Sequence, residues 1–192
     1  MARAHSERCQ ECKKNVRNLL SELFGAVEDN FDLDLPASLL GYRETSSYDS
    51  LARIYSTLQH YRGFADFVRS KKLQRADFFI PNRALIVEFD ESQHFTAPRG
   101  IALSQYPKEH MFGFSLEKWR ELCLTHDKRD NDPPFRDEQR AWYDTLRDFA
   151  PIFWGKGHTI RLYARDLAWC SLNPHNNNDV KQFEQIIAFR ET

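Results

Sequence analysis

No apolar run in the 192 residues approaches the ~20 that a membrane-spanning helix requires. The opening residues, MARAHSERCQECKK, contain no apolar stretch of the kind a secretory leader carries. There are only four cysteines, and they do not make a disulfide framework for a chain of this size. These absences make the cytoplasm the expected compartment, with no membrane partner. Net charge is lacking too: 27 Lys and Arg against 28 Asp and Glu leave −1. Proteins that coat nucleic acid broadly are usually basic, so a polyanion would have to be met by a local face. Lys71, Lys72 and Arg75, with Arg62, Arg69 and Arg83 around them, form the densest such stretch. No internal repeat or extended low-complexity segment interrupts the chain. A hydrophobic content of 41% with 14% aromatics is enough for a sizeable core. One domain is expected, with a helical N-terminal region over 1–73 packed on a core over 74–192.

The organising stretch is Gln74–His94, QRADFFIPNRALIVEFDESQH. Two runs rich in Phe, Ile, Leu and Val flank Pro81-Asn82-Arg83, which reads as two strands and a turn. With Asn82 and Arg83 as the loop, or with a four-residue loop over 81–84, Ile80 faces Leu85 and Asp77 faces Glu88. Opposed Cβ atoms stand ~5 Å apart. Asp90 follows Glu88 by two residues and shares its face. Close, buried like charges repel and are costly unpaired. Either a divalent cation or salt bridges to Arg75, Arg83 or a distant Arg resolves that cost. Oxygen-only ligands suit Mg²⁺ or Mn²⁺.

Asp77, ten intervening residues and Glu88-Phe89-Asp90 resemble the PD-(D/E)xK nuclease superfamily. The longer string Asp77-Phe78-Phe79-Ile80-Pro81 … Ile86-Val87-Glu88-Phe89-Asp90-Glu91-Ser92-Gln93-His94 is similar to the branch of very-short-patch-repair-like endonucleases. Asp137-Glu138-Gln139-Arg140 ahead of Ala141-Trp142-Tyr143, and later Thr159-Ile160-Arg161-Leu162-Tyr163, follow in the order that branch tends to show. The resemblance covers roughly residues 70–166. It implies an α/β fold, a restriction-endonuclease-like mixed central β-sheet flanked by helices. It implies a Mg²⁺- or Mn²⁺-dependent endonuclease, a hydrolase of phosphodiester bonds with DNA as the first substrate. Asp77, Glu88 and Asp90 would then be the metal ligands and His94 a proton carrier. Arg140 would stabilise phosphorane charge, with Gln93, Asp137 and Arg161 as supporting residues. Glu22, on the first helix, matches a further acidic position seen in related nucleases. Lys71, Lys72, Arg75 and Arg99 would meet phosphates. The Lys that the superfamily places two residues after the Glu is replaced here by Asp90, which leaves the general base open. A nuclease fold without catalysis, docking nucleic acid, a protein partner or a second copy, is the chief alternative.

Outside that stretch, Val16, Leu19, Leu20, Leu23, Phe24 and Val27 recur at helical spacing. Cys9 and Cys12 stand just before them. A CxxC is half of many zinc sites, with His5 a third ligand candidate, but the other half is not evident because Cys123 and Cys170 are isolated and far apart. Two free thiols at a helix start are the competing reading, and a zinc-stabilised interaction protein is a second alternative. Further helices are expected over Tyr48–His60, Phe64–Leu73, Ser115–Leu124 and Val180–Phe189. Strands are expected over Pro151–Trp154 and His158–Tyr163. Gly155-Lys156-Gly157 lacks the Walker spacing and reads as a turn.

Overall fold

The computed structural model describes residues 9–188, so His5 lies outside the described residues. Four strands form one sheet in the order β1 (Glu28–Phe31), β2 (Ala76–Ile80), β3 (Leu85–Asp90) and β4 (Thr159–Tyr163). The β1–β2 and β2–β3 pairs are antiparallel and the β3–β4 pair is parallel. The sheet is therefore mixed, and the fold is α/β. Helix α1 (Gln10–Phe24) covers one face together with α6 (Asn177–Ala188) and the short turn Trp169–Ser171. The other face packs against α2 (Tyr48–Arg62), α3 (Ala97–Ser104), α4 (Leu116–His126) and α5 (Arg136–Trp154). Among the described residues no helix is long and apolar enough to cross a membrane.

The hairpin has the expected register, with Ile80 opposite Leu85 and Phe78 opposite Val87. Its turn is the four-residue form. Arg83 N–H donates to the Ile80 carbonyl, and Ala84 takes the left-handed region at φ +52°. All six residues of β3 are buried, as befits a strand with helices on both faces. Val87 and Phe89 pack against Val16, Leu19 and Leu20 of α1, while Glu88 and Asp90 turn toward α5.

Three expectations are corrected. Pro151–Trp154 is not a strand but the last turn of α5. Pro151 lacks the N–H that would bond Arg147 O four residues back, and the Thr159 hydroxyl donates to that carbonyl instead, at 2.7 Å. The helix survives its proline because β4 replaces the missing donor. Phe64–Leu73 is not helical. Gly63 ends α2 in the left-handed region, and the segment then bonds residues 35–37: Ala37 N–H to Lys71 O, Leu73 N–H to Leu35 O. The N-terminal region is not wholly helical either, because β1 joins the sheet as an edge strand. Its sequence, EDNF, is short and mostly exposed, so no apolar alternation betrays it.

Gly157, at φ +77°, lies so close to the hairpin turn that a Cβ there would run into the Ala84 carbonyl. Gly157→Ala is expected to cost about 2–4 kcal/mol through backbone clash and the left-handed φ. Denaturant titration measures it, and the neighbouring Lys156→Ala serves as the neutral control.

Candidate functional site

Asp77 and Glu88 meet across the hairpin. The Asp77 backbone N–H donates to Glu88 Oε1 at 3.3 Å, and Phe89 N–H donates to Asp77 Oδ2 at 2.9 Å. Each carboxylate is thus held by the other strand's backbone. Asp77 is 23% exposed and its second oxygen meets Lys13 Nζ of α1 at 2.5 Å. It borders a shallow groove with Gln10, Lys13, Lys14, Arg17 and Asp29. Glu88 is buried, 3.1 Å from Arg147 Nε. That approach lies off the N–H direction, and Arg147 Nε–H finds no hydrogen-bond acceptor among the described residues. Burial pushes the Glu88 carboxyl up to about 7; Arg147 pulls it down and Asp77 repels it further up.

Asp90, expected as a metal ligand, is engaged by Arg161 and Trp119. Arg161 Nη1 reaches its two oxygens at 2.7 and 3.0 Å, and Trp119 Nε1–H donates to Oδ2 at 2.7 Å. Directed bonds of this kind to a charged, fully buried pair leave little to offer a cation. Although burial opposes its ionisation, Arg161 and then His94 hold the Asp90 carboxyl below its ordinary range. Among the described residues, Asp77, Glu88 and Asp90 do not converge as a three-carboxylate cluster.

Arg161 is the centre of a larger network. Its Nε donates to Asp148 Oδ1 at 2.7 Å, and Nη2 donates to the Asp144 main-chain oxygen at 3.2 Å. Arg99 donates to Asp148 Oδ2 at 2.6 Å and to the Tyr106 hydroxyl at 2.8 Å. Arg147 pairs with Asp144 at 2.5 Å. His94 Nδ1 stands 3.2 Å from Asp144 Oδ2; a carboxylate only accepts, so Nδ1 carries the proton. Four carboxylates, Glu88, Asp90, Asp144 and Asp148, face three guanidiniums. One negative charge is left over until His94 or Glu88 binds a proton. Burial disfavours the charged His94, but Asp144 and then Asp90 outweigh it and raise its pKa.

The other expected residues fall in different surroundings. Arg99, expected to meet a phosphate, is buried in the network and paired with Asp148. Lys71, Lys72 and Arg75 are exposed, with Lys72 on Asp34 at 2.6 Å. Arg140 donates to Gln93 O at 2.8 Å and pairs with Asp130 at 3.1 Å. Asp137 accepts the Asp130 N–H and lies 3.7 Å from Arg62. Glu22 and Gln93 are exposed. Cys9 caps α1 and lies beside Cys12 and Cys170, the three sulfurs within 4.8 Å of one another, close enough to bind one metal ion. A larger, mostly apolar cleft of about 760 Å³ opens between α4 and α6; Trp119, the donor to Asp90, lines it, and none of the site residues expected from the sequence does.

Lys13, Asp144, Arg147 and Asp148 escape a reading of the sequence that looks only at the hairpin. A signal for the last three exists. Asp137, Arg140, Asp144, Arg147 and Asp148 recur at spacings of three, four and one in a helix otherwise rich in buried apolar residues.

Comparisons of the chain with protein-family models, curated proteins and solved structures found no match. The site therefore stands on its own geometry.

Two outcomes are expected. Arg161→Met strands Asp90 and Asp148 in the interior and should cost about 3–5 kcal/mol, read by denaturant unfolding. Second, Glu88 and His94 both have pKa values raised by folding, so each binds protons more tightly folded than unfolded. Their contribution is fully present below the unfolded values, near 4.5 for Glu88 and 6.5 for His94, and is lost as pH rises through the folded ones. Melting temperature should fall between pH 5 and 8, and Glu88→Gln should flatten the lower part of that slope while His94→Gln flattens the upper.

Proposed function

We propose that the protein is a metal-dependent nuclease of restriction-endonuclease-like fold, cutting phosphodiester bonds at the Asp77–Glu88 pair, with DNA as its first substrate. The observation that carries this reading is the contrast between two neighbouring carboxylates. Asp90 is locked by aligned side-chain hydrogen bonds, whereas Glu88 accepts one long main-chain amide bond and otherwise has an off-axis ion pair beside a second carboxylate. A buried acid with its pKa pushed up is poorly compensated as an anion. Two oxygen donors in that state fit Mg²⁺ or Mn²⁺. When bound, such an ion supplies Lewis acidity at a phosphate oxygen and a more acidic water.

The chain's own residues divide the remaining work. Asp77 and Glu88 would hold the ion, kept in place by the Phe89 and Asp77 backbone amides. Lys13 and Lys14 line the groove beside Asp77 and would hold a phosphate of the backbone. His94 is oriented through Nδ1 by Asp144, which leaves Nε2 to accept or deliver a proton. Arg140 is tied to the Gln93 carbonyl and Asp130 and would supply charge near His94. Exposed Lys71, Lys72 and Arg75 would extend the contact along the strand.

The Lys13–Asp77 and Arg147–Glu88 ion pairs favour a second reading, a binding module without catalysis. Cleavage assays on supercoiled plasmid, single strands and RNA, with Mg²⁺, Mn²⁺ or EDTA, separate the two. The nuclease reading expects EDTA-sensitive cleavage, lowered at least about 100-fold in Asp77→Asn and Glu88→Gln and about 10²–10⁴-fold in His94→Ala. Retarded migration of DNA without cleavage by the unaltered protein under any of these ions would decide for the binding module.

A further inference from the structure

We propose that Cys9, Cys12 and Cys170 form a thiolate site for Zn²⁺ that fastens the start of α1 to the segment after β4. The nuclease reading does not use these residues. The three sulfurs lie within 4.8 Å of one another. A tetrahedral zinc with Zn–S bonds of ~2.3 Å sets its sulfurs about 3.8 Å apart, so closure requires shifts of about an ångström or less.

The three cysteines come from segments some 160 residues apart, and the backbone brings them together without relying on the sulfurs. Asn15, one turn into α1, donates through Nδ2 to both Trp169 O at 2.8 Å and Leu172 O at 2.6 Å. Those carbonyls bracket Cys170. Trp169 is fully buried, with its ring edge-on to Phe89 and Phe183. The turn Trp169–Ser171 is therefore clamped on α1 from both sides of Cys170.

Without a metal, burial first and then the neighbouring sulfurs push the Cys12 thiol up to about 12, so an ion binding here displaces its proton; backbone amides assist at two of the sulfurs. Cys9 is the N-cap of a 15-residue helix, where the amide dipoles favour negative charge. Cys12 N–H donates to Cys9 Sγ at 3.2 Å, and the Cys170 backbone amide donates to the Cys12 sulfur. Amide donors of this kind orient metal ligands and offset their charge. Sulfur-only ligation selects a soft or borderline ion such as Zn²⁺ over Mg²⁺ or Mn²⁺, so this site and the carboxylate pair take different metals. Cys170 is exposed while Cys12 is buried, so a reagent in solution can report on Cys170.

The test uses the reduced full-length chain, loaded with equimolar Zn²⁺ or Co²⁺ and freed of excess metal. One zinc per chain by elemental analysis is expected, together with a near-ultraviolet sulfur-to-cobalt charge-transfer band in the Co²⁺ form. Zinc should slow alkylation of Cys170 by iodoacetamide at least about tenfold. Chelation should lower the melting temperature by about 5 °C or more. Cys170→Ser, at an exposed position, should lose the band and most of the zinc. Cys123→Ala, in the opposite core, should keep both. No retained zinc or cobalt in the reduced chain would overturn the proposal, as would undiminished zinc in Cys170→Ser. Metal-free protein isolated with a disulfide among the three cysteines, seen as a two-hydrogen mass loss, and taking up no zinc after reduction, would overturn it as well. None of these readouts depends on cleavage, so the site and the nuclease reading stand or fall separately.

Discussion

The burial of Arg161 is the constraint on which the molecule depends. Its guanidinium is fully enclosed and touches Asp90 of β3 and Asp144 and Asp148 of α5. A charge removed from water to that depth costs several kcal/mol unless paired and hydrogen-bonded. The pairing fixes the distance and rotation of α5 against the parallel β3–β4 pair. Arg99 adds α3 to the same cluster through Asp148, and Trp119 adds α4 through Asp90. A helix that buries charged residues along one side is positioned by directed contacts, where an apolar stripe alone would allow sliding. Farther along, Arg62 at the end of α2 grips Glu138 in the first turn of α5, at 2.5 and 2.6 Å. There the carboxylate also benefits from the positive end of the helix.

That rigidity bears on chemistry two residues away. Glu88 and Asp90 share a face of one strand, yet the helix opposite treats them differently. Asp90 receives aligned side-chain donors from two elements; Glu88 receives the Asp77 amide at 3.3 Å and a guanidinium edge off the N–H direction. Fixed by its neighbours, Arg147 cannot swing to satisfy Glu88 without leaving Asp144. The structure thus pairs one acid fully and leaves the next with its ionisation disfavoured, a difference between like groups that environment alone produces.

Much of the fold was legible because the hairpin carries strong local signals. Aromatic and β-branched runs around Pro81-Asn82 give the strands, and the face-to-face placement of Asp77 and Glu88 follows from turn length alone. The pattern of Val16, Leu19 and Leu20 gives α1. What stayed hidden depends on distant partners. β1 has no apolar alternation, and Phe64–Leu73 has helix-compatible residues that instead bond residues 35–37. Pro151 reads as a helix breaker until Thr159 is seen to donate to the carbonyl it frees. At the site, a carboxylate near an apolar strand looks the same in sequence whether a metal or an arginine answers it. Arg161 settles Asp90 from 71 residues away, and Arg99 looks like a surface charge until Asp148 claims it.

The parallel alignment of β3 with β4 has a consequence for how the chain reaches this state. The partners Ile86 and Thr159 are separated by three helices, and closing so long a loop costs entropy before any contact repays it. Until β4 docks, Asp90, Asp144 and Asp148 have no Arg161 and stay hydrated, so the cluster cannot dehydrate piecemeal. Assembly of the sheet's last strand and expulsion of water from the charges become one event. Non-local pairing of this kind slows folding in general, and here the buried charges depend on the strand that completes them.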